Sequence, residues 1–294
     1  MAEYQFQIDA GYAQNREHGV GQSRYDLDVT TLSASFFFQP VATENAPVRL
    51  APFVMRSSSV SVGGQIINEP YFSDARNRTF HGAAIDAQIG ETPLRLGAGW
   101  SRAGGLGFQH RSGRPEPFDV LEYSIAWHLL ENGRVSYSRT EYEREEFSFL
   151  SAELEFDAEE WRYRQVVEAD AGWFDFSIFH QEETSDRSSL VFNPSELEQV
   201  RYGAEAYYYP GGVLGIGLSL SQQESDFSDP GQWDEKLEEV GIAVTFDPSE
   251  AVGFSAFYVH GKTKLEREPV DIFNVFSEGE RNERLVGAAF AFRF

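Results

Sequence analysis

The sequence predicts an all-β fold: one antiparallel transmembrane β-barrel over residues 1–294, a single domain of about fourteen strands, with sixteen possible. Three observations predict it. Apolar residues recur at every second position through most of the chain, the period of a strand with one apolar face. Nowhere is there the run of roughly 18 uninterrupted apolar residues that a membrane-crossing helix needs. The connections between alternating segments are short and long in strict turn.

Composition fits the same class. Hydrophobic residues make up 41% and aromatic residues 15%, yet mean hydropathy is -0.41. Apolar positions alternating with lumen-facing polar ones produce that low average. The 25 Phe, 13 Tyr and 26 Gly against 2 Met form a strand-and-turn composition. Cysteine is absent, which excludes disulfides, thiolate metal sites and thiol nucleophiles. A net charge of -23 and pI near 4.6 disfavour nucleic acid or an anionic membrane surface as partner.

The strands follow in order. Residues 4–16 set Tyr4, Phe6, Ile8, Ala10 and Tyr12 on one face. Residues 24–38 carry Tyr25, Leu27 and Val29 and then, past an expected register slip at Thr30 and Thr31, Leu32, Ala34, Phe36 and Phe38. Segments 48–58 and 78–89 read as weaker strands. Alternation sharpens over 94–102, with Leu94, Leu96, Ala98 and Trp100, and over 119–129, with Leu121, Tyr123, Ile125, Trp127 and Leu129. After the Asn132-Gly133 turn come 134–145, 159–169, 173–184 and 199–208. Pro210-Gly211-Gly212 leads to Leu214–Leu220, and Val240–Phe246 turns at Asp247-Pro248-Ser249 into Val252–Tyr258. Residues 282–294 close the set.

Short connections fall around 39–47, 90–93, 130–133, 169–172, 209–212 and 247–250. Longer, more polar ones fall around 17–23, 57–77, 103–117, 146–158, 185–198, 225–235 and 264–281. A soluble sandwich has no reason to sort its loops in this way, whereas a membrane barrel has short turns on one side and longer loops on the other. Aromatics collect at strand ends, as an interfacial girdle requires. Tyr4, Phe38, Trp127, Trp173, Tyr208, Phe246, Phe254 and Phe294 lie toward the short turns; Tyr12, Tyr25, Trp100, Tyr123 and Tyr258 lie toward the longer loops.

The last residues, V-G-A-A-F-A-F-R-F, place Val286, Ala288, Phe290, Phe292 and Phe294 on one face. This ending resembles the closing strand of Gram-negative outer-membrane β-barrel proteins, and length, strand number, loop alternation and acidic charge together resemble an outer-membrane porin of the monomeric fourteen-stranded kind. The resemblance implies short periplasmic turns, long external loops, and Phe290, Phe292 and Phe294 as the signal read by the barrel-assembly machinery. It further implies outer-membrane lipid and lipopolysaccharide as surroundings, location in the cell outer membrane, a signal peptide absent from this chain, and a monomer or trimer.

The inner faces are expected to line the pore with Asp9, Asp86, Arg95, Glu122, Arg162, Arg164, Asp175, Arg201 and Glu205. Such charges need water, because burying an isolated ion costs more than folding can spare. Inner-face glycines, Gly97, Gly99, Gly215, Gly217, Gly241 and Gly287, are expected to keep the bore clear. Arg102, His110, Arg111 and Arg114 make 102–114 a candidate constriction loop, with 57–77 an equal candidate. Residues 141–160 hold nine carboxylates against Arg144 alone, a solvated face or a negative vestibule.

The expected function is passive diffusion of small hydrophilic solutes and ions, with no chemical step, no cofactor, no metal and no nucleic-acid partner. The alternatives are an outer-membrane lipid hydrolase and a closed-lumen scaffold. Gln109-His110-Arg111-Ser112-Gly113 resembles the His-x-Ser segment of outer-membrane phospholipases, but Gly113 stands where that family has Asn, and a nucleophile needs its base and orienting group together.

Overall fold

The backbone ladder of this computed structural model runs without an edge. Its strands are β1 (Glu3–Gly19), β2 (Tyr25–Ala42), β3 (Ser59–Glu69), β4 (Arg76–Gln88), β5 (Leu94–Leu106), β6 (Phe118–Leu130) and β7 (Gly133–Glu146). They continue with β8 (Ala152–Ala169), β9 (Gly172–Ser189), β10 (Ser195–Tyr209), β11 (Leu214–Phe227), β12 (Trp233–Phe246), β13 (Val252–Arg267) and β14 (Glu278–Arg293). Each pairs antiparallel with its neighbours in chain order, and β14 pairs with β1, so every strand has partners on both sides. The structure describes residues 3–19, 25–44, 46–69, 76–106, 118–130, 132–146, 152–189, 195–227, 233–267 and 278–294.

Closure rests on the last residue as well as the strand. The Phe294 carbonyl accepts from the amides of Gln5 and Phe6 at 2.7 and 3.0 Å, and its own amide donates to the Phe6 carbonyl at 2.8 Å. Across this seam the register sets Ile8 opposite Phe292 and Ala10 opposite Phe290 on the outside, with Gln7 opposite Arg293 on the inside. The pleat carries that division around the barrel. On β11, Ile216, Leu218 and Leu220 point outward and exposed, next to Gly215, Gly217 and Ser219 inside. Phe290, Phe292 and Phe294 are exposed on the outer face at 46%, 44% and 69%, as a lipid-facing surface requires in the absence of lipid.

The ladders extend beyond the apolar band at the mouth far from the chain termini. Above Leu220 the outward positions of β11 become Gln222, Glu224 and Asp226. Above Tyr137 and Trp161, the outer wall of β7 and β8 carries Arg139, which hydrogen-bonds Asp157 at 3.0 and 3.1 Å and pairs with Glu141 at 2.9 Å. Part of the acidic stretch is therefore strand, and Glu141, Asp157 and Glu159 face outward rather than into a vestibule. Likewise 152–158 belongs to β8 and adds no further strand.

Three expectations are corrected. Segment 48–58 is not a strand, and 57–77 is not an external loop: β3 occupies Ser59–Glu69, and the chain before it forms a short helix, α1 (Ala51–Val54). Pro47 and Pro52 remove backbone donors that a ladder would need, while Gly63-Gly64 dilutes the alternation of Val60, Val62 and Ile66 and hides a strand inside an apparent loop. Second, β2 pairs in continuous register through Thr30 and Thr31, so Leu27 and Val29 face inward; the irregularity lies between Tyr4 and Phe6. That shift turns Tyr4 onto the inner face, where it is buried against Phe37, and Trp173 also packs inside, so neither belongs to the girdle.

The third correction concerns the inner glycines. Three of the six lie against aromatic rings: a Cβ on Gly217 would lie 2.3 Å from Tyr207, one on Gly215 2.5 Å from Tyr209, and one on Gly287 2.3 Å from Phe257, whereas Gly97 and Gly241 face the hydroxyls of Ser124 and Ser219. At Gly215, Gly217 and Gly287 the missing side chain is replaced by a neighbour's ring. Gly217→Val should push Tyr207 off the wall and destabilise the barrel by about 1–3 kcal/mol, read as a lower temperature for the folded-to-unfolded band shift on a semi-native gel. An unchanged transition would show that the ring is not seated there.

Candidate functional site: the inner cavity and the segment that crosses it

Residues 43–58 leave β2 at the mouth that carries the termini and cross the interior instead of turning tightly. Leu50 and Ala51 donate to the Pro47 carbonyl at 2.8 and 3.0 Å, and Val54 and Met55 continue the turn through α1. Arg56 ends it in the left-handed region, at φ 51°, an uncommon conformation for a residue with a side chain. Leu50, Phe53 and Val54 then share one face at helical spacing, and this face meets Val166 of β8, Trp173 of β9 and Tyr209 of β10. Leu50 is only 1% exposed. Burial of this kind is worth about 1.5–3 kcal/mol for a large aliphatic side chain, so the segment has a dry anchor inside an otherwise polar bore.

Ionic anchors hold its two ends. Arg49 Nε donates to Asp247 Oδ2 at 2.9 Å and Arg49 Nη2 to the Phe254 carbonyl at 2.7 Å. Asp247 also receives Arg293 Nη1 and Nη2, each at 3.2 Å, and Arg293, 4% exposed, completes its set with Gln7 Oε1 at 3.1 Å. Gly253 leaves room for this group, because a Cβ there would stand 2.2 Å from Asp247 Oδ1. At the other end Arg95 pairs with Asp86 and donates to the Ser57 carbonyl at 2.8 Å.

The register puts the side chains of Asp9, Asp86, Arg95, Glu122, Arg162, Arg164, Asp175, Arg201 and Glu205 on the inner face. They do not meet at one point. Arg164 holds Asp175 through two hydrogen bonds of 2.9 and 2.8 Å; Arg162 holds Glu160 at 2.8 Å and lies 3.7 Å from Glu205; Arg201 meets Glu239 at 2.6 Å. Aromatic rings stiffen the array. Arg134 and Arg164 lie 5.0 and 4.4 Å from the Phe53 centroid, and Arg162 and Arg201 lie 5.0 and 5.7 Å from that of Phe179. Between the crossing segment and the β7–β13 wall is a cavity of about 470 Å³, lined by Arg49, Arg134, Arg162, Arg164, Asp175 and Glu205 together with Tyr207, Tyr209 and Phe257.

Arg102 does not contribute to it. Its register partner is Asp119, 3.9 Å away on the outer face, and the pair is exposed. His110, Arg111, Arg114 and Ser112 lie outside the described residues. The residues that narrow the bore, Arg49, Leu50, Phe53 and Ser57, were missed by alternation; their signal was Pro47 and Pro52 bracketing apolar residues at helical rather than strand spacing. Among the described residues, no group of three or more His, Asp or Glu is placed to hold a metal ion.

A closed barrel with an apolar outer belt and a charged, cavity-bearing interior defines a transmembrane β-barrel of the outer-membrane type. Solved structures with that fold are similar to this chain over its whole length. The Acinetobacter baumannii outer membrane protein Omp33 matches with a TM-score of 0.51 and 15% identity, over 100% of this chain and 99% of that one. The CymD monoaromatic hydrocarbon channel matches with a TM-score of 0.56 and 9% identity, over 99% of this chain and 89% of that one. No family model and no curated protein matches the sequence, and at these identities the likeness is one of fold.

Removing one partner from a buried ion pair leaves the other charge unpaired. Asp247→Asn should therefore cost about 3–5 kcal/mol in urea unfolding of the detergent-solubilised protein, whereas Lys262→Ala, at an exposed pair with Glu280 on the outer wall, should cost under about 1 kcal/mol. Equal losses would mean that the Arg293–Asp247–Arg49 group is not an anchor.

Proposed function

We propose that this protein is an outer-membrane diffusion channel for small hydrophilic solutes and ions, carrying out no chemical step. The observation that carries the reading is the inner face: paired arginines and carboxylates around a cavity, which an interior without water could not hold at this density. Asp9, Asp86, Arg95, Glu122, Arg162, Arg164, Asp175, Arg201 and Glu205 line the path and shape its field. Residues 43–58 form the constriction, at the mouth of the chain termini. Phe290, Phe292 and Phe294 present the assembly signal, and the apolar belt faces outer-membrane lipid and lipopolysaccharide.

A specific observation favours a second reading, a lumen closed at that mouth: Leu50, Phe53, Val166 and Tyr209 make a buried apolar contact between the crossing segment and the barrel wall. Planar-bilayer recording separates the two. The channel reading expects stepwise conductance from the wild type and larger steps when residues 46–56 are replaced by a Gly/Ser linker. A silent wild type whose linker variant conducts would establish the closed lumen; two silent but inserted proteins would overturn the channel altogether.

A further inference from the structure

The cavity beside the crossing segment carries an imbalance that the wall does not correct. Arg134 and Arg164 are direct cross-strand partners on the inner face of β7 and β8, an arrangement that costs stability when like charges stand opposite one another. Arg164 is satisfied by Asp175, Arg162 by Glu160 and Arg49 by Asp247. Arg134 has no carboxylate partner among the described residues. It rests on the Phe53 ring, and its buried Nε has no hydrogen-bond partner. Thr245, 6% exposed, lines the same cavity with its hydroxyl also unpaired.

The remaining lining is apolar and aromatic: Leu50, Tyr207, Tyr209 and Phe257. Seated against glycines, the rings form a fixed surface opposite the arginines. The volume falls within the range of about 300–1,000 Å³ usual for small-molecule sites. Four arginines line this space with Asp175 and Glu205, and Glu160 and Asp247 behind the lining hold Arg162 and Arg49, in a chain whose net charge is -23. Within this set Arg134 is the one guanidinium without a carboxylate of its own among the described residues.

We propose that the cavity binds a small organic anion, a carboxylate with a compact apolar body, on its way through the barrel. The carboxylate accepts from Arg134, beside Arg164, and the body lies against Tyr207, Tyr209 and Phe257. This deepens the channel reading and rests on it for the route by which the solute arrives. The anion offsets the repulsion between the two arginines, and the rings favour a body that a bare inorganic ion lacks.

Titration calorimetry on the folded, detergent-solubilised protein tests it with benzoate, acetate and benzylamine. Saturable benzoate binding about tenfold tighter than acetate, with no benzylamine binding, is the expected result. Arg134→Gln should weaken benzoate about tenfold and Arg134→Lys should restore most of the loss; Thr245→Val, a smaller change at the same wall, gives a second readout should Arg134→Gln fold poorly. Benzoate and benzylamine binding alike, benzoate binding no tighter than acetate, or variants binding benzoate as the wild type does, would overturn the proposal. Because the assay needs no conduction, a protein that conducts without binding benzoate sinks this inference alone, and one that binds without conducting sinks the channel reading alone.

Discussion

Asp247 is the point on which the interior depends. It accepts from two arginines that belong to different parts of the chain: Arg293 of the closing strand and Arg49 of the crossing segment. A lone carboxylate or a lone guanidinium at this depth would be strongly unfavourable, so the three residues stand or fall together. The network links barrel closure to the narrowing of the bore, because the strand that completes the ladder also supplies the cation that holds the constriction's anchor in place.

Around that point the barrel solves two conflicting demands with one pleat. The outward positions must suit hydrocarbon and the inward ones must suit charge. The cross-strand register enforces the division: Ile8 lies level with Phe292 outside, while Gln7 and Arg293 meet inside. Arginines then dominate the inner wall in a particular way. Each guanidinium is planar, so it can lie over a ring and hold a carboxylate at once, as Arg164 does with Phe53 and Asp175. The result is a charged surface with few degrees of freedom.

The barrel itself was legible in the sequence because alternation is a local property. Two neighbours on the same strand reveal which face is which, and so the inward placement of Asp9, Arg95 or Glu205 could be read from period alone. Tyr4 escapes it, because a shift of register between Tyr4 and Phe6 flips its side chain and no local pattern announces that shift, whereas Trp173 follows the alternation of Asp175 and its inward placement was open to the same reading. For Gly215, Gly217 and Gly287 no sign of the covering ring was legible in the sequence, since it comes from the adjacent strand. Residues 43–58 were the hardest. Their partners are spread over β1, β5, β7, β8, β9, β10 and β13, so nothing within the segment names them, although Pro52 spoke against a strand there.

The path of 43–58 also has a kinetic meaning. Its anchors include Tyr4 from the beginning of the chain, Tyr209 from beyond the middle and Asp247, which Arg293 from the end of the chain holds in turn. Contacts of such wide sequence separation form only after the intervening chain has been ordered, because the loop-closure cost comes first. The segment therefore gains its full set of anchors only once the last strand has met the first. The narrow passage is thus secured late, as the cylinder itself closes.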